Sequence, residues 1–420
     1  MANLTVEHVA RIEGHGNISV SVDDGVIKDI KMDVVEPARF FESMVVGRRF
    51  DEAPLITSRI CGICSPNHVL TSIKAMEAAL GVAASERTAL LRKLLVYGSY
   101  LQNHATHLYV LAAPDFVGLP SVFPLAATHP DVVERALKIK KLGNELCNAV
   151  GGRSVHPVTT VVGGFTSEPD PRKLEAFRTM LLEVAADTMA TVELFASFEV
   201  PDFSTSGDML ALTADDDYAI YDGDTASLDG GWRRSVSEYR RFITEAVVGH
   251  SNAKHSTVDG RTFLVGSLAR LNLSAGMLGE RGRRAVAAAG LALPSRNPFH
   301  THMAQAIELA DCAERCAGYI ERLLESGGSS KPVPFAIRAG EGAGATEAPR
   351  GTLYHSYTIG NDGIVTRGDV ITPTAQNLAN LEADMRAFAP TIADRSQEEF
   401  MLLVEKLVRA YDPCLSCSVH

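Results

Sequence analysis

Arg59-Ile60-Cys61-Gly62-Ile63-Cys64-Ser65-Pro66-Asn67-His68 sets two cysteines directly ahead of a helical pattern. Ser65 and Pro66 read as an N-cap followed by proline at the first helical position. Behind them Val69, Leu70, Ile73, Met76 and Leu80 recur at helical spacing until Gly81 ends the run. Both thiols then belong at a helix N-terminus, where free backbone N–H groups and the helix dipole favour thiolate over thiol. Arg59 adds positive charge, and the small Gly62 lets the chain turn so that both sulfurs point the same way.

A second pair closes the chain in Asp412-Pro413-Cys414-Leu415-Ser416-Cys417-Ser418-Val419-His420. It follows a helical pattern that Asp412-Pro413 ends, because the residue before proline is pushed out of the α region. Chain ends usually fray, so a ligand-rich tail stopping at a histidine suggests an end tied down by metal. Taken singly, each pair also fits a redox dithiol or buried small hydrophobes. Together they fit a four-thiolate metal centre. The 349 residues between Cys64 and Cys414 far exceed the roughly 15–20 of zinc ribbons. Such a site closes late in folding, which suits a catalytic centre better than a nucleating staple. Four soft thiolates select zinc, copper(I) or iron–sulfur chemistry on general grounds, and spacing alone does not name the metal.

Composition narrows the remaining classes. The 420 residues are 46% hydrophobic and 22% charged, which is globular. The net charge of −11 comes without a basic stripe, so no nucleic-acid partner is expected. The N-terminus has no signal-peptide pattern, and the uncharged stretch 97–114 carries Gln102, Asn103, His104 and His107, too polar for a membrane span. Seven cysteines, an odd number in a long chain, argue for a reducing compartment rather than a disulfide framework. Cys147, Cys312 and Cys316 lie in amphipathic helical patterns and read as buried thiols. A four-cysteine ferredoxin run is missing, so no iron–sulfur cluster is expected within this chain.

The expected fold class is α-rich α+β, a core bundle of long helices with peripheral β hairpins. One hairpin spans 17–34 around Asp24-Gly25. Helical patterns follow at 65–80, from a Ser85 cap to Pro114, and at about 131–149, 171–198, 300–326, 375–388 and 396–410. Residues 201–270 read as irregular or β-rich, with turns at Asp222-Gly223 and Asp229-Gly230-Gly231, and 351–373 as a second hairpin around Asn361-Asp362-Gly363. The glycine-rich 339–344 lacks both P-loop and dinucleotide context and reads as a flexible loop, so no NAD is placed on the chain. A single domain, 1–420, is expected, with its metal site built from both ends, 1–80 and 340–420, around the helical core.

With both cysteine pairs in place, the sequence resembles the large subunit of nickel–iron hydrogenases. The resemblance runs nearly end to end. It is carried by Arg11-Ile12-Glu13-Gly14-His15, by 59–68, and by His104-Ala105-Thr106-His107-Leu108-Tyr109 with Pro114-Asp115-Phe116. Gly151-Gly152-Arg153-Ser154-Val155-His156-Pro157, Glu347-Ala348-Pro349-Arg350-Gly351 and 412–420 complete it. It implies that the four cysteines hold nickel, Cys61 and Cys414 as terminal ligands and Cys64 and Cys417 bridging to an iron that carries carbon monoxide and cyanide. Dihydrogen is then cleaved heterolytically and reversibly. Cys414 is the expected base, relayed to Glu13, with Arg350 above the open site as an alternative base or an electrostatic stabiliser. Asp115 and Asp412 resemble the carboxylates that hold that arginine. Thr374, beside Pro373, resembles the residue that hydrogen-bonds a cyanide, and His68 a donor to a bridging sulfur.

The resemblance further implies a magnesium or iron site ligated by Glu42, His420 and the backbone carbonyl of Val370, oxygen-rich ligation that suits a hard cation. The segment Pro37-Ala38-Arg39-Phe40-Phe41-Glu42 departs from the Arg-Gly pair that many relatives carry before this glutamate. A chain ending at His420 looks like a mature, metal-loaded form, or one encoded without a C-terminal extension. Length and motifs look more like the cytosolic multimeric branch, the sulfhydrogenase and methyl-viologen-reducing type, so a cytoplasmic location is expected. Electrons are expected to leave through an iron–sulfur small subunit and further flavin or iron–sulfur subunits. The terminal acceptor is NAD(P), a deazaflavin coenzyme, ferredoxin or a heterodisulfide reductase. Two alternatives stand beside this reading. One is a non-catalytic scaffold stapled by zinc; the other is a quinone-site relative of the complex I lineage, which retention of all four cysteines, Glu13 and Arg350 disfavours.

Overall fold

The computed structural model describes residues 4–23 and 26–420. Its centre is helical, and the reason is visible in the apolar faces. Ser85 caps the helix Glu86–Ala105 by accepting the Thr88 N–H at 3.2 Å, and Leu90, Leu91, Leu94 and Leu101 on its inner face are buried. It packs against Pro130–Gly151 and Thr301–Glu325. Thr301–Glu325 also packs against Pro171–Glu183 and Ala185–Ala196, two helices where one pattern is expected over 171–198, interrupted at Val184.

The run from Ser85 does not stop at Pro114. It passes through a π-helical stretch, Thr106–Ala112, into Ala113–Phe116. The widened turn accommodates a ring that has no N–H to donate and clashes with an ordinary α-helical carbonyl. Ser65, expected as a cap, is instead the first residue of Ser65–Leu80. Its hydroxyl donates to Gly62 O at 2.9 Å and accepts the His156 N–H at 2.8 Å, tying the cysteine loop to the segment around His156. Gly81 ends this helix at φ 68° as expected.

The N-terminal hairpin forms between Gly16–Asp23 and Val26–Val34, with Leu4–Val6 added antiparallel; its expected turn, Asp24-Gly25, lies outside the described residues. Within 201–270 a four-stranded sheet runs in the order Phe263–Leu264, Asp208–Thr213, Asp224–Ser227, Arg233–Arg234. The turn Asp229-Gly230-Gly231 joins its last two strands. Two stretches of that chain region and beyond are helical rather than irregular, Ser267–Ser274 and Glu280–Ala289.

The main correction concerns the glycine-rich stretch. It is not a loop but the first part of a strand, Gly340–Ala348, in a meander with Gly351–Ile359 and Val365–Ile371. A Cβ on Gly340 would lie 2.1 Å from Ala79 O, and one on Gly342 2.2 Å from Ala79 N. Alternate glycines thus let the strand lie directly on the backbone of Ser65–Leu80, a close approach closed to any other residue. The two-residue turn Pro349-Arg350 follows at once and delivers Arg350 toward the cysteines.

Candidate metal centre

Cys61 follows the 3₁₀ turn Ser58–Ile60, Cys64 immediately precedes Ser65–Leu80, and Cys414 immediately precedes the short helix Leu415–Ser418, whose third residue is Cys417. All four are buried, none is in a disulfide, and their sulfurs lie within 4.8 Å of one another. Cys61 Sγ is 3.4 Å from Cys414 Sγ, which is 2.7 Å from Cys417 Sγ. Four buried thiol groups crowded this closely are costly unless they share a cation. The donor set is soft and sulfur-only, as nickel, iron and zinc accept.

Arg350 closes one side. Its Nη1 lies 3.3 Å from Cys64 Sγ, and its Nε donates to Asp412 O at 2.8 Å and Oδ1 at 3.1 Å. Asp412 takes a left-handed conformation, φ 46°, that turns backbone and side-chain oxygens toward the same guanidinium. Contact with the neighbouring sulfurs, Cys414 first, and the Arg350 charge together hold the Cys64 thiol well below its ordinary range. Burial opposes the Arg350 charge, but Asp412 and the sulfurs outweigh it, so the guanidinium stays protonated. This favours an electrostatic role over a basic one.

Glu13 closes another side. It pairs in a β-bridge with Cys414 and its carbonyl accepts the Leu415 N–H at 2.9 Å. Ser416 Oγ donates to Glu13 Oε1 at 2.5 Å and Ser416 N to Oε2 at 3.2 Å. Burial, then the Cys414 charge, pushes the Glu13 carboxyl up to about 7 against the opposing Ser416 hydrogen bond.

The geometry has close counterparts among known proteins. The family pattern described as nickel-dependent hydrogenase matches residues 39–132 and 258–420, and a second, described as HoxL-like, matches 3–36. Sulfhydrogenase 1 subunit alpha of Pyrococcus furiosus is 36% identical, over 99% of this chain and 97% of that protein. The HoxS subunit beta of the NAD-reducing hydrogenase of Cupriavidus necator is 30% identical, over 99% and 94%. The chain belongs to the nickel-dependent hydrogenase family. The crystal structure of an NAD+-reducing [NiFe]-hydrogenase in its H2-reduced state superposes on all of this chain and all of its own at TM-score 0.89 and 28% identity. The [NiFeSe]-hydrogenase of Dm. baculatum shares the fold at TM-score 0.80 and 23% identity, over 100% and 99%. The protein is therefore a catalytic hydrogenase large subunit, an oxidoreductase, with the α+β fold expected from its sequence.

Other residues of this hydrogenase fall around the same point. A small apolar cavity beside Cys64, Cys414 and Cys417 is lined by His68, Ala348, Leu353, Pro373 and Thr374. Thr374 Oγ1 accepts the Cys414 N–H at 3.0 Å, which leaves its own O–H to donate. His68 is pushed down to about 3 by burial and then by His420. Its Nδ1 faces His355 Nε2 at 3.2 Å, and His355 Nδ1 faces Tyr357 Oη at 2.8 Å. Among the described residues no hydrogen bond joins His68 to a sulfur. Asp115 requires correction as a holder of Arg350. It pairs with Arg409, at 2.5 and 3.1 Å, and with Arg11. Arg409 lies three residues before Asp412, so Asp115 fixes the helix end that leads into the site rather than the arginine above it.

Glu42, Val370 and His420 also assemble. His420 Nε2 is 2.7 Å from Val370 O and 4.0 Å from Glu42 Oε1, which accepts the Val370 N–H at 3.0 Å. Carboxylate, carbonyl and imidazole thus converge on the chain's last residue, a donor set fit for a hard cation. Phe40, in the segment that departs from the expected pattern, stands at φ 55°, the left-handed region that glycine enters freely.

Several contributors escape a reading of motifs. Ser416, between the cysteines, reaches Glu13. Asn103 and Gln305 donate to Asp412 Oδ2 at 3.4 and 3.1 Å. Arg270, wholly buried, binds Glu308 at 2.7 and 2.8 Å, Glu347 at 2.9 Å, and the carbonyls of Ala348 and Pro349. It thereby fixes the turn that carries Arg350. The signal was a set of polar residues, Gln305, Glu308 and Asp311, spaced along the buried face of the helix Thr301–Glu325. Among the described residues no helix is long and apolar enough to cross a membrane.

Proposed function

We propose that Cys61, Cys64, Cys414 and Cys417 would hold a nickel–iron centre whose iron carries carbon monoxide and cyanide, Cys61 and Cys414 serving nickel alone and Cys64 and Cys417 serving both metals. What supports this reading is one observation: four buried sulfurs from opposite ends of the chain converge between the Arg350 guanidinium and the Glu13 carboxyl. When bound, that centre supplies the reversible heterolytic cleavage of dihydrogen. Cys414 takes the proton at its sulfur and Glu13 receives it, steadied by Ser416. Arg350, held by Asp412, supplies fixed positive charge beside Cys64 and stabilises negative charge there. Thr374, Pro373 and a neutral His68 line the small cavity beside Cys64, Cys414 and Cys417, where the Thr374 O–H would donate to a cyanide of the bound iron.

Glu42, the Val370 carbonyl and His420 hold magnesium or iron and anchor the C-terminus in the same act. The chain works as one unit whose site is built from both ends. Because it has no four-cysteine cluster run of its own, electrons leave through an iron–sulfur small subunit. That subunit docks on the exposed apolar side chains Phe40, Met44, Leu55, Val155 and Val158, with Val155 lying against Gly62 of the cysteine loop. The complex works in the cytoplasm and passes electrons through further flavin or iron–sulfur subunits to a soluble acceptor.

Metal analysis with infrared spectroscopy of the anaerobically purified complex tests the reading. One nickel with iron, and sharp bands from metal-bound carbon monoxide and cyanide, are expected. Zinc alone, without such bands, identifies a stapled scaffold and removes the catalytic assignments.

A further inference from the structure

A second cluster of ligand-type side chains lies away from the cysteines. Glu382 is on the helix Pro373–Phe388, eight residues and about 12 Å of helix rise beyond Thr374. His255 opens the strand His255–Val258, and His250 lies in the loop joining it to its partner strand, Ile243–Ala246. One ligand atom from each of the three lies within 4.8 Å of the others.

Two features of this cluster need explanation. Glu382 and His255 are 3% and 9% exposed, and His255 Nε2 is buried with no hydrogen-bond partner. A buried polar atom left without a partner loses its hydration and gets nothing in return. A simple His250–Glu382 pair, Nε2 to Oε1 at 2.7 Å, accounts for His250 and leaves His255 unexplained. The carboxylate is also held as metal-ligating carboxylates are: Arg386 Nη2 donates to Oε2 at 2.9 Å and the Met32 N–H to Oε1 at 3.0 Å. Burial favours a neutral His255 ring, whose lone pair is free to ligate. The His250 side chain is 27% exposed and gives an ion a way in.

We propose that His250, His255 and Glu382 form a zinc site that clamps the hairpin Ile243–Val258 to the helix Pro373–Phe388. Two imidazoles and one carboxylate are a standard zinc donor set, with water as the fourth ligand. Zinc has no redox chemistry of its own, and its three protein ligands come from a hairpin and a helix, so the ion would act by holding those two elements together. Bonds of about 2.0–2.1 Å in tetrahedral geometry hold ligand atoms roughly 3.3 Å apart. The three ligand atoms, within 4.8 Å of one another, would come to that spacing around the ion. The donor set shares no residue with the cysteine centre or with Glu42, Val370 and His420.

Zinc content of the mature purified complex, with its cysteines already occupied, tests the proposal after dialysis against micromolar zinc. Wild type is expected to retain one zinc more per large subunit than either His255→Ala or Glu382→Gln. Glu382→Gln keeps the size and shape of the side chain and one acceptor oxygen while removing the charged ligand, so it serves if His255→Ala folds poorly. Anomalous diffraction of wild-type crystals at the zinc edge locates the ion independently. A peak between the three side chains supports the site. Equal zinc content in wild type and Glu382→Gln, or an absent peak there, overturns it.

Discussion

Glu13 has the setting that the proposed proton relay needs. It lies beside Cys414, holds a 2.5 Å hydrogen bond from Ser416, and sits near neutral affinity because burial opposes its charge. Glu13→Gln keeps the shape and can still accept from Ser416, but it cannot carry a proton. Loss of a positioned acid–base group typically costs 10²–10⁴-fold. Hydrogen-driven dye reduction by the complex is expected to fall at least a hundredfold with nickel content unchanged; activity within threefold of wild type sinks the assignment. Asp384 is a buried carboxyl of the opposite kind. It accepts from Thr205 Oγ1 at 2.8 Å and Tyr411 Oη at 2.5 Å, yet burial raises it to about 6. Below its ordinary value folded and unfolded chains are both protonated and nothing is lost. As pH rises toward 6 the unfolded chain alone gives up the proton, and above that folding bears the whole cost, roughly 3 kcal/mol. Asp384→Asn is expected to stabilise at pH 8 and to lose about half of that advantage by pH 5, read by chemical denaturation at the two pH values. A pH-independent difference refutes the burial argument. Glu13 was legible in the sequence through its motif. Ser416 and Asp384 were not, since a serine between cysteines and an aspartate in an amphipathic helix look like solvent-facing residues until their partners are placed.

At the scale of elements, the strand Gly340–Ala348 is where pattern reading failed and where the reason is physical. Glycine carries no hydropathy, so Gly340, Gly342 and Gly344 gave no apolar alternation to read. Their own period of two was the overlooked sign, because it marks one strand face with no side chains. That face lies on Ser65–Leu80, the helix behind Cys64, so cysteine loop and Arg350 turn share one rigid platform. Gly342→Ala puts a methyl 2.2 Å from Ala79 N and 2.5 Å from Ala75 O, backbone atoms that have no rotamer to yield. Overpacking of this kind costs typically 1–3 kcal/mol or more, and thermal melts of the purified protein are expected to show it. Gly276→Ala, with no neighbour within 4 Å of its Cβ, is the matched control, expected within about 0.5 kcal/mol of wild type. Equal effects at the two positions contradict the close-packing account. Periodicity located the helices at 86–105, 130–151 and 301–325 because their apolar faces meet one another. It misplaced the end at Pro114 because a π turn leaves no trace in hydropathy.

At the scale of the whole molecule, the metal centre joins segments that local pattern cannot connect. Which cysteine meets which was legible through resemblance to a family, not through spacing, since nothing between residues 64 and 414 encodes the return of the chain end. That end is held by the Glu13–Leu415 bridge, by Arg39 bound to the Ser416 carbonyl, and by His420 on Val370. These contacts meet the sulfurs only from outside, and the desolvation of four thiol groups opposes them. Binding free energy at such a site is folding free energy for the segments that supply the ligands. Chain purified from nickel-starved cells is therefore expected to exchange its amide hydrogens faster at 61–68 and 412–418 together, by tenfold or more. The helices Glu86–Ala105 and Pro130–Gly151, which owe their protection to apolar packing against one another, keep theirs. Hydrogen-exchange mass spectrometry of the two preparations reads both regions at once. Loosening of the C-terminal segment alone makes the N-terminal pair a preformed half-site, set by the glycine-faced strand beneath it, that captures metal before the tail closes. Equal protection in both preparations means that the hydrogen bonds around Glu13, Arg39 and His420 hold the end without metal. The cysteine centre would then be a passenger of the fold rather than its clasp.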